Sequence, residues 1–112
     1  LELLAHQRQE TLYQACLDAK GKLLSCKQLS QGSADCTALS VRQVVENALL
    51  TDASAVVLAH NHPSGVALPS ENDRAVTLWV RDALNTMDIR LLDHIIVADG
   101  EFVSMNQSGY LL

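Results

Sequence analysis

Two histidines two residues apart, followed closely by a serine and an aspartate, are the residues here whose types and spacing could do chemistry. The string is His60-Asn61-His62-Pro63-Ser64-Gly65, then Ser70-Glu71-Asn72-Asp73, or H-x-H, seven residues, and S-x-x-D. On an extended chain successive side chains alternate between faces, so His60 and His62 point to the same side. Two imidazoles can then approach one ion. Pro63, Ser64 and Gly65 make a turn that reverses the chain. Ser70 reads as a helix N-cap, which places Asp73 in the first helical turn with its carboxylate able to reach back. Two His and one Asp are three N/O ligands and leave a fourth position for water, the arrangement of a catalytic rather than a structural zinc. One zinc ion is therefore the expected cofactor. Such an ion lowers the pKa of a bound water toward roughly 7. A nearby carboxylate would then serve as general base and later as general acid. Ser70 could donate a hydrogen bond to the water or to a developing oxyanion.

Each residue alone has a plainer reading. A lone His at a strand end is usually structural, and an Asp at a helix start usually serves the helix dipole. The joint spacing is what selects the metal reading. The letters H-N-H do not describe an HNH nuclease, whose residues are spread over a ββα element. The H-E-x-x-H pattern of the zincins is absent. The three cysteines, Cys16, Cys26 and Cys36, are odd in number and form no C-x-x-C, against both a disulfide framework and a Cys-rich zinc knuckle. Cys16 and Cys26 fall in apolar strand-like runs and read as small buried hydrophobes in a reducing cytoplasm. His6 reads as a surface residue.

The elements that must position these groups follow from patterning. Residues 1–9 look like the end of a helix. Alternation predicts a strand over 11–17, a turn at 18–21 with Gly21 free to take positive φ, and a returning strand over 22–29. Residues 30–34 read as a loop and 36–39 as a short strand. Ser40 reads as an N-cap with Gln43 at the capping-box position, opening a helix through Val41, Val44, Val45 and Ala48 to Thr51. The apolar run 53–59 suits a central strand buried on both faces, and 60–69 a loop. A helix from Ser70 to about Met87 would carry Trp79 into the core with Val76. Its acidic residues, mixed with Arg74 and Arg81, read as a solvated face. Strands over 89–92 and 94–98, a turn at Asp99-Gly100 and a last strand over 102–105 complete an α/β domain, a mixed sheet flanked by helices.

One domain over 1–112 suits the length. The chain opens at Leu1 inside a helix-like stretch, which reads as a fragment of a longer protein. No apolar run is long enough to span a bilayer, and no secretory signal is visible, so a cytoplasmic location is expected. The net charge of −5, with only eight Lys and Arg, argues against direct nucleic-acid binding by this domain.

The sequence resembles the RadC family, a bacterial branch of the JAB/MPN domains that carry the JAMM motif. The matching stretches are 53–55, 59–65, Pro69-Ser70 with Asp73, Leu92-Asp93-His94, and 102–104. The resemblance implies a cytidine-deaminase-like α/β fold with zinc held by His60, His62 and Asp73. Members of that family are named as DNA-repair proteins. Relatives with the same motif are isopeptidases, which implies a metallopeptidase-like activity on a peptide or protein substrate. The JAMM pattern also needs a glutamate at the start of the first strand. In RadC-like chains it stands eight residues before a Leu-Asp turn, and Glu10 stands eight before Asp18, so Glu10 is the implied general base. Glu46, within a helix, is the rival. Val41-Arg42-Gln43 stands where relatives often have Pro-Arg-Glu, and Lys27 where a Glu is common; neither departure touches the metal set. His94 has two readings, a residue that orients a ligand from behind or a structural histidine bonding backbone. The competing function is an interaction module of a RadC-named protein with weak or no catalysis.

Overall fold

The alternation over the first strands builds a hairpin in the computed structural model, which describes residues 11–29, 37–62, 67, 69, 71–98, 100–109 and 111. The helix read over 1–9, the loop over 30–34, Cys36, His6 and the 63–65 turn lie outside the described residues. Strands β1 (Leu12–Leu17) and β2 (Leu23–Gln28) pair antiparallel. Asp18 shapes the turn: its carboxylate accepts the N–H groups of Lys20 at 2.9 Å and Lys22 at 2.8 Å. Gly21 takes φ +84°, a conformation that costs a side chain strain. Cys16 is buried as expected, but Cys26 is exposed. It sits on β2, the outermost strand, where nothing described covers it.

Helix α1 (Thr37–Leu50) begins earlier than its pattern implied. Residues 37–39, expected as strand, are its first turn, and Ser40 lies inside it rather than capping it. Ala38 and Leu39 are good helix formers, and no breaker separates them from Val41. Extending a helix that already exists costs little, so the turn is added. One buried polar side chain ties this helix to the sheet. Gln14 Nε2 donates to the Val44 carbonyl at 2.9 Å, and Gln14 Oε1 accepts from Asn47 at 3.0 Å.

Strand β3 (Ala55–Asn61) is central. It pairs antiparallel with β1 and parallel with β4 (Arg90–Ala98). A parallel neighbour needs a crossover, and helix α2 (Glu71–Asn85) supplies it. Strand β5 (Glu101–Ser104) returns antiparallel, giving the order β2-β1-β3-β4-β5. Gly100 lies in the expected turn before it and takes φ +79°. Asp93, expected to separate two strands, lies inside β4. Its carboxylate accepts the N–H groups of His94 (2.8 Å) and Asn106 (3.0 Å) and the Ser104 hydroxyl (2.5 Å). With its oxygens satisfied across the β4–β5 edge, it does not break the strand.

Both helices pack on one face of the sheet. Val44 and Ala48 of α1 and Val80 and Leu84 of α2 meet Cys16, Val56, Leu58 and Leu91. On the opposite face Val57 and Ala59 are only half-buried, so β3 is not buried on both faces along its length, as its apolar run implied. Trp79, expected in the core, is 68% exposed. The inward stripe of α2 is Val76, Thr77, Val80 and Leu84, and Trp79 falls outside that arc. No helix among the described residues is long and apolar enough to cross a membrane.

Candidate metal centre

His60 is not in a loop but the penultimate residue of β3, 97% shielded from solvent. His62 follows the strand, yet its N–H still donates to the Val97 carbonyl on β4 at 2.8 Å. That bond keeps the chain extended across the pair, so the alternation holds and both rings face the same side. Their Nε2 atoms are 2.8 Å apart. Asp73, in the first turn of α2, closes the group. Its carboxylate stands 3.0 Å from His62 Nε2 and 3.5 Å from His60 Nε2. One ligand atom from each of the three residues lies within 4.8 Å of the others. The ligand set read from spacing is thus brought together.

The electrostatics suit a cation. Burial, the largest cause, drives the His60 pKa down from 6.5 to about 4, against the opposing pull of Asp73. Its ring is neutral at physiological pH and can present a lone pair. Two ring nitrogens and a carboxylate at close range, with one ring too buried to be charged, form a set of N/O donors that can hold a metal ion.

His94 stands behind His60. The register pairs Leu58 with His94 and His60 with Ile96, so His60 and His94 lie diagonally on the helix-bearing face. His94 Nε2 is 2.6 Å from His60 Nδ1, the nitrogen turned away from the group. Its other nitrogen is 2.7 Å from the Thr77 hydroxyl. Both contacts are to side chains rather than to backbone. Burial, then the neighbouring His60, lowers its pKa to about 3.

Glu10 and Ser70 lie outside the described residues, but the residues next to them are described. Thr11 N–H donates to Asn61 Oδ1 at 2.6 Å, and Asn61 N–H donates to the Thr11 carbonyl at 3.3 Å. Glu71 opens α2, two residues before Asp73. Glu46 is bound to Arg42 at 2.8 Å on an exposed stretch of α1. Sequence reasoning missed Asn61 and Thr77. Thr77 carried a signal, since it lies four residues after Asp73 and so one turn along the same helix face. Asn61 carried none beyond sitting between the two histidines.

Known proteins resemble this chain over nearly its whole length. A model of the RadC-like JAB domain matches residues 1–110. A UPF0758 protein of Ectopseudomonas mendocina is 45% identical over 108 residues, which cover 96% of this chain and 48% of that protein. One of Stutzerimonas stutzeri is 46% identical over the same length and shares of each. One of Photobacterium profundum is 42% identical over 110 residues, 98% of this chain and 49% of that protein. The chain therefore spans about half the length of the curated relatives it matches. With the family model matched over nearly its whole length, the chain belongs to the family of RadC-like JAB domains.

Proposed function

We propose that the chain is a hydrolase of the JAMM type that uses one zinc ion and water to cleave a peptide or isopeptide bond. The observation that carries this reading is the convergence of His60, His62 and Asp73 within 4.8 Å. When bound there, a divalent ion supplies Lewis acidity and makes water a usable nucleophile near neutral pH. The chain's own residues supply the rest. Glu10 is assigned as the group that takes a proton from the attacking water and returns it to the leaving amine. Its support is topological: Leu12 pairs with His60, so β1 begins at the ligand end of the sheet. Ser70, immediately before α2, is assigned to hydrogen-bond the oxyanion that develops on the scissile carbonyl. Glu46 takes no part, held by Arg42 on another helix. A peptide or protein substrate suits an acidic domain better than nucleic acid does, because a chain of net charge −5 repels phosphates.

The test is metal content alongside rate. Reconstituted at neutral pH, the chain should hold about one zinc per molecule. Asp73→Ala should lose the metal and the hydrolysis of an isopeptide-linked substrate together. Glu10→Gln should keep the metal while the rate falls by about 10²–10⁴. A native chain that takes up no zinc under these conditions sinks the proposal.

A further inference from the structure

Behind the three converging groups lies a run of short polar contacts that the hydrolase reading does not use. It starts at His60 Nδ1, passes to His94 Nε2 at 2.6 Å, and continues from His94 Nδ1 to Thr77 Oγ1 at 2.7 Å. It ends at the backbone carbonyl of Asp73, 2.5 Å from Thr77 Oγ1. His60, His94 and Thr77 are all buried, so no bulk water competes for these links.

The protons in this run can be placed from its far end. Two oxygens 2.5 Å apart repel unless a proton lies between them, and a carbonyl has none to give. The Thr77 hydroxyl therefore donates to Asp73, its own helix one turn back. Its proton committed, Thr77 can only accept from His94, which must carry its proton on Nδ1. A neutral His94 then has a bare Nε2 and accepts from His60. His60 must in turn carry its proton on Nδ1, which leaves its Nε2 lone pair facing His62 and Asp73. The opposite direction would place two bare oxygens in contact at the Thr77 end. Met105 Sδ, 3.7 Å from the same hydroxyl, is a second weak acceptor and does not change the direction.

We infer that His94 and Thr77 are positioning residues of the metal centre: a hydrogen-bonded chain, anchored on the Asp73 carbonyl, that holds His60 as its Nδ1–H tautomer. The inference rests on the metal-centre reading for its purpose, though not for its geometry. The anchor has a second effect. Asp73 is itself one of the converging groups, so the chain closes a ring that ties β3, β4 and α2 into one arrangement. A ligand histidine whose far nitrogen is held in this way has one orientation and one tautomer, and loss of such support typically weakens metal binding about 10–100-fold.

The experiment uses the full chain, Zn²⁺ alone as probe, and two readouts. Zinc affinity is read by competition with a chromophoric chelator, and the His60 tautomer by imidazole ¹⁵N shifts in the metal-free chain. Wild type should show His60 protonated on Nδ1. Thr77→Val, nearly the same shape, should bind zinc about 10–100-fold more weakly and mix the His60 tautomers. Thr77→Ser should restore both, which a role confined to packing would not require. His94→Gln, which can still accept from His60 but cannot reach onward as an imidazole does, should fall between. A wild-type His60 protonated on Nε2, or a folded Thr77→Val with unchanged affinity and tautomer, overturns the inference. A wild type with the expected tautomer and no zinc binding overturns the metal reading, while the hydrogen-bonded chain stands on the tautomer itself.

Discussion

Asn61 sits between the two histidines and does different work from either. Alternation turns it to the other face of β3, where it grips Thr11, the residue after Glu10, through side chain and backbone both. The triplet thus has its outer members at the candidate metal centre and its middle member at the entry of β1. Removing the side chain in Asn61→Ala takes a charge-free acceptor from a buried N–H. The expected cost is about 1–3 kcal/mol of stability, measured by urea denaturation. A second outcome separates this from a general loosening. Because Thr11 adjoins the proposed base, the rate should fall further than the zinc content does. Equal losses of both would place Asn61 with the fold alone. The convergence of the three candidate ligands was legible because its logic is local: one strand's alternation and one helix's first turn. The contacts of Asn61 and Thr77 were not, and His94 stayed between two readings, because these contacts depend on which elements lie side by side. The Asn61–Thr11 bond crosses 50 positions of sequence and the His60–His94 contact crosses 34.

At the scale of elements, what could be read was what a short window determines. The β1–β2 hairpin was legible from alternation on both sides of a turn whose Asp18 and Gly21 each have a physical task. The end of α1 and the start of α2 were legible for the same reason. The start of α1 was not, because Ser40 and Gln43 mimic a capping box inside a helix that has already begun. The bulge that shifts register between Val56 and Val57 left no mark on composition. Trp79 failed differently. Its spacing from Val76 suits a helix face, but the arc that the core selects is centred on Val80 and Leu84. That difference is measurable. Leu84→Ala should cost about 2–5 kcal/mol, because it opens a cavity under α2. Trp79→Ala should change stability by less than about 0.5 kcal/mol, despite the larger side chain removed. Both are read from urea midpoints, and a large loss at Trp79 would place the indole in a packed contact after all.

Taken as a whole, the molecule buries two uncharged imidazoles, one in its candidate centre and one behind it, and this gives it an acid liability. His60 and His94 have pKa values lowered from 6.5 to about 4 and about 3. In the unfolded chain both take up protons below pH 6.5, whereas in the fold they resist until much lower pH. The unfolded state then binds more protons, so stability falls as pH falls. The contribution of these rings is complete above pH 6.5 and is lost progressively toward pH 4 and 3. The metal-free chain should therefore lose at least about 5 °C of Tm between about pH 7 and pH 5. Replacing His94 with Gln should make that decline shallower, and an unchanged slope would assign the acid sensitivity to other groups. The parallel pairing that brings those rings together also bears on how the molecule is made. His94 is synthesised after His60, with the whole α2 crossover between them. At about 5–20 residues per second, the ring that orients His60 leaves the ribosome seconds after His60 does. Until β4 docks, the His60 proton is free to sit on either nitrogen. On the proposed metal reading, metal capture would then be a late event in biogenesis, and a nascent chain stalled before β4 would carry all three candidate ligands without the ring that holds His60 in place.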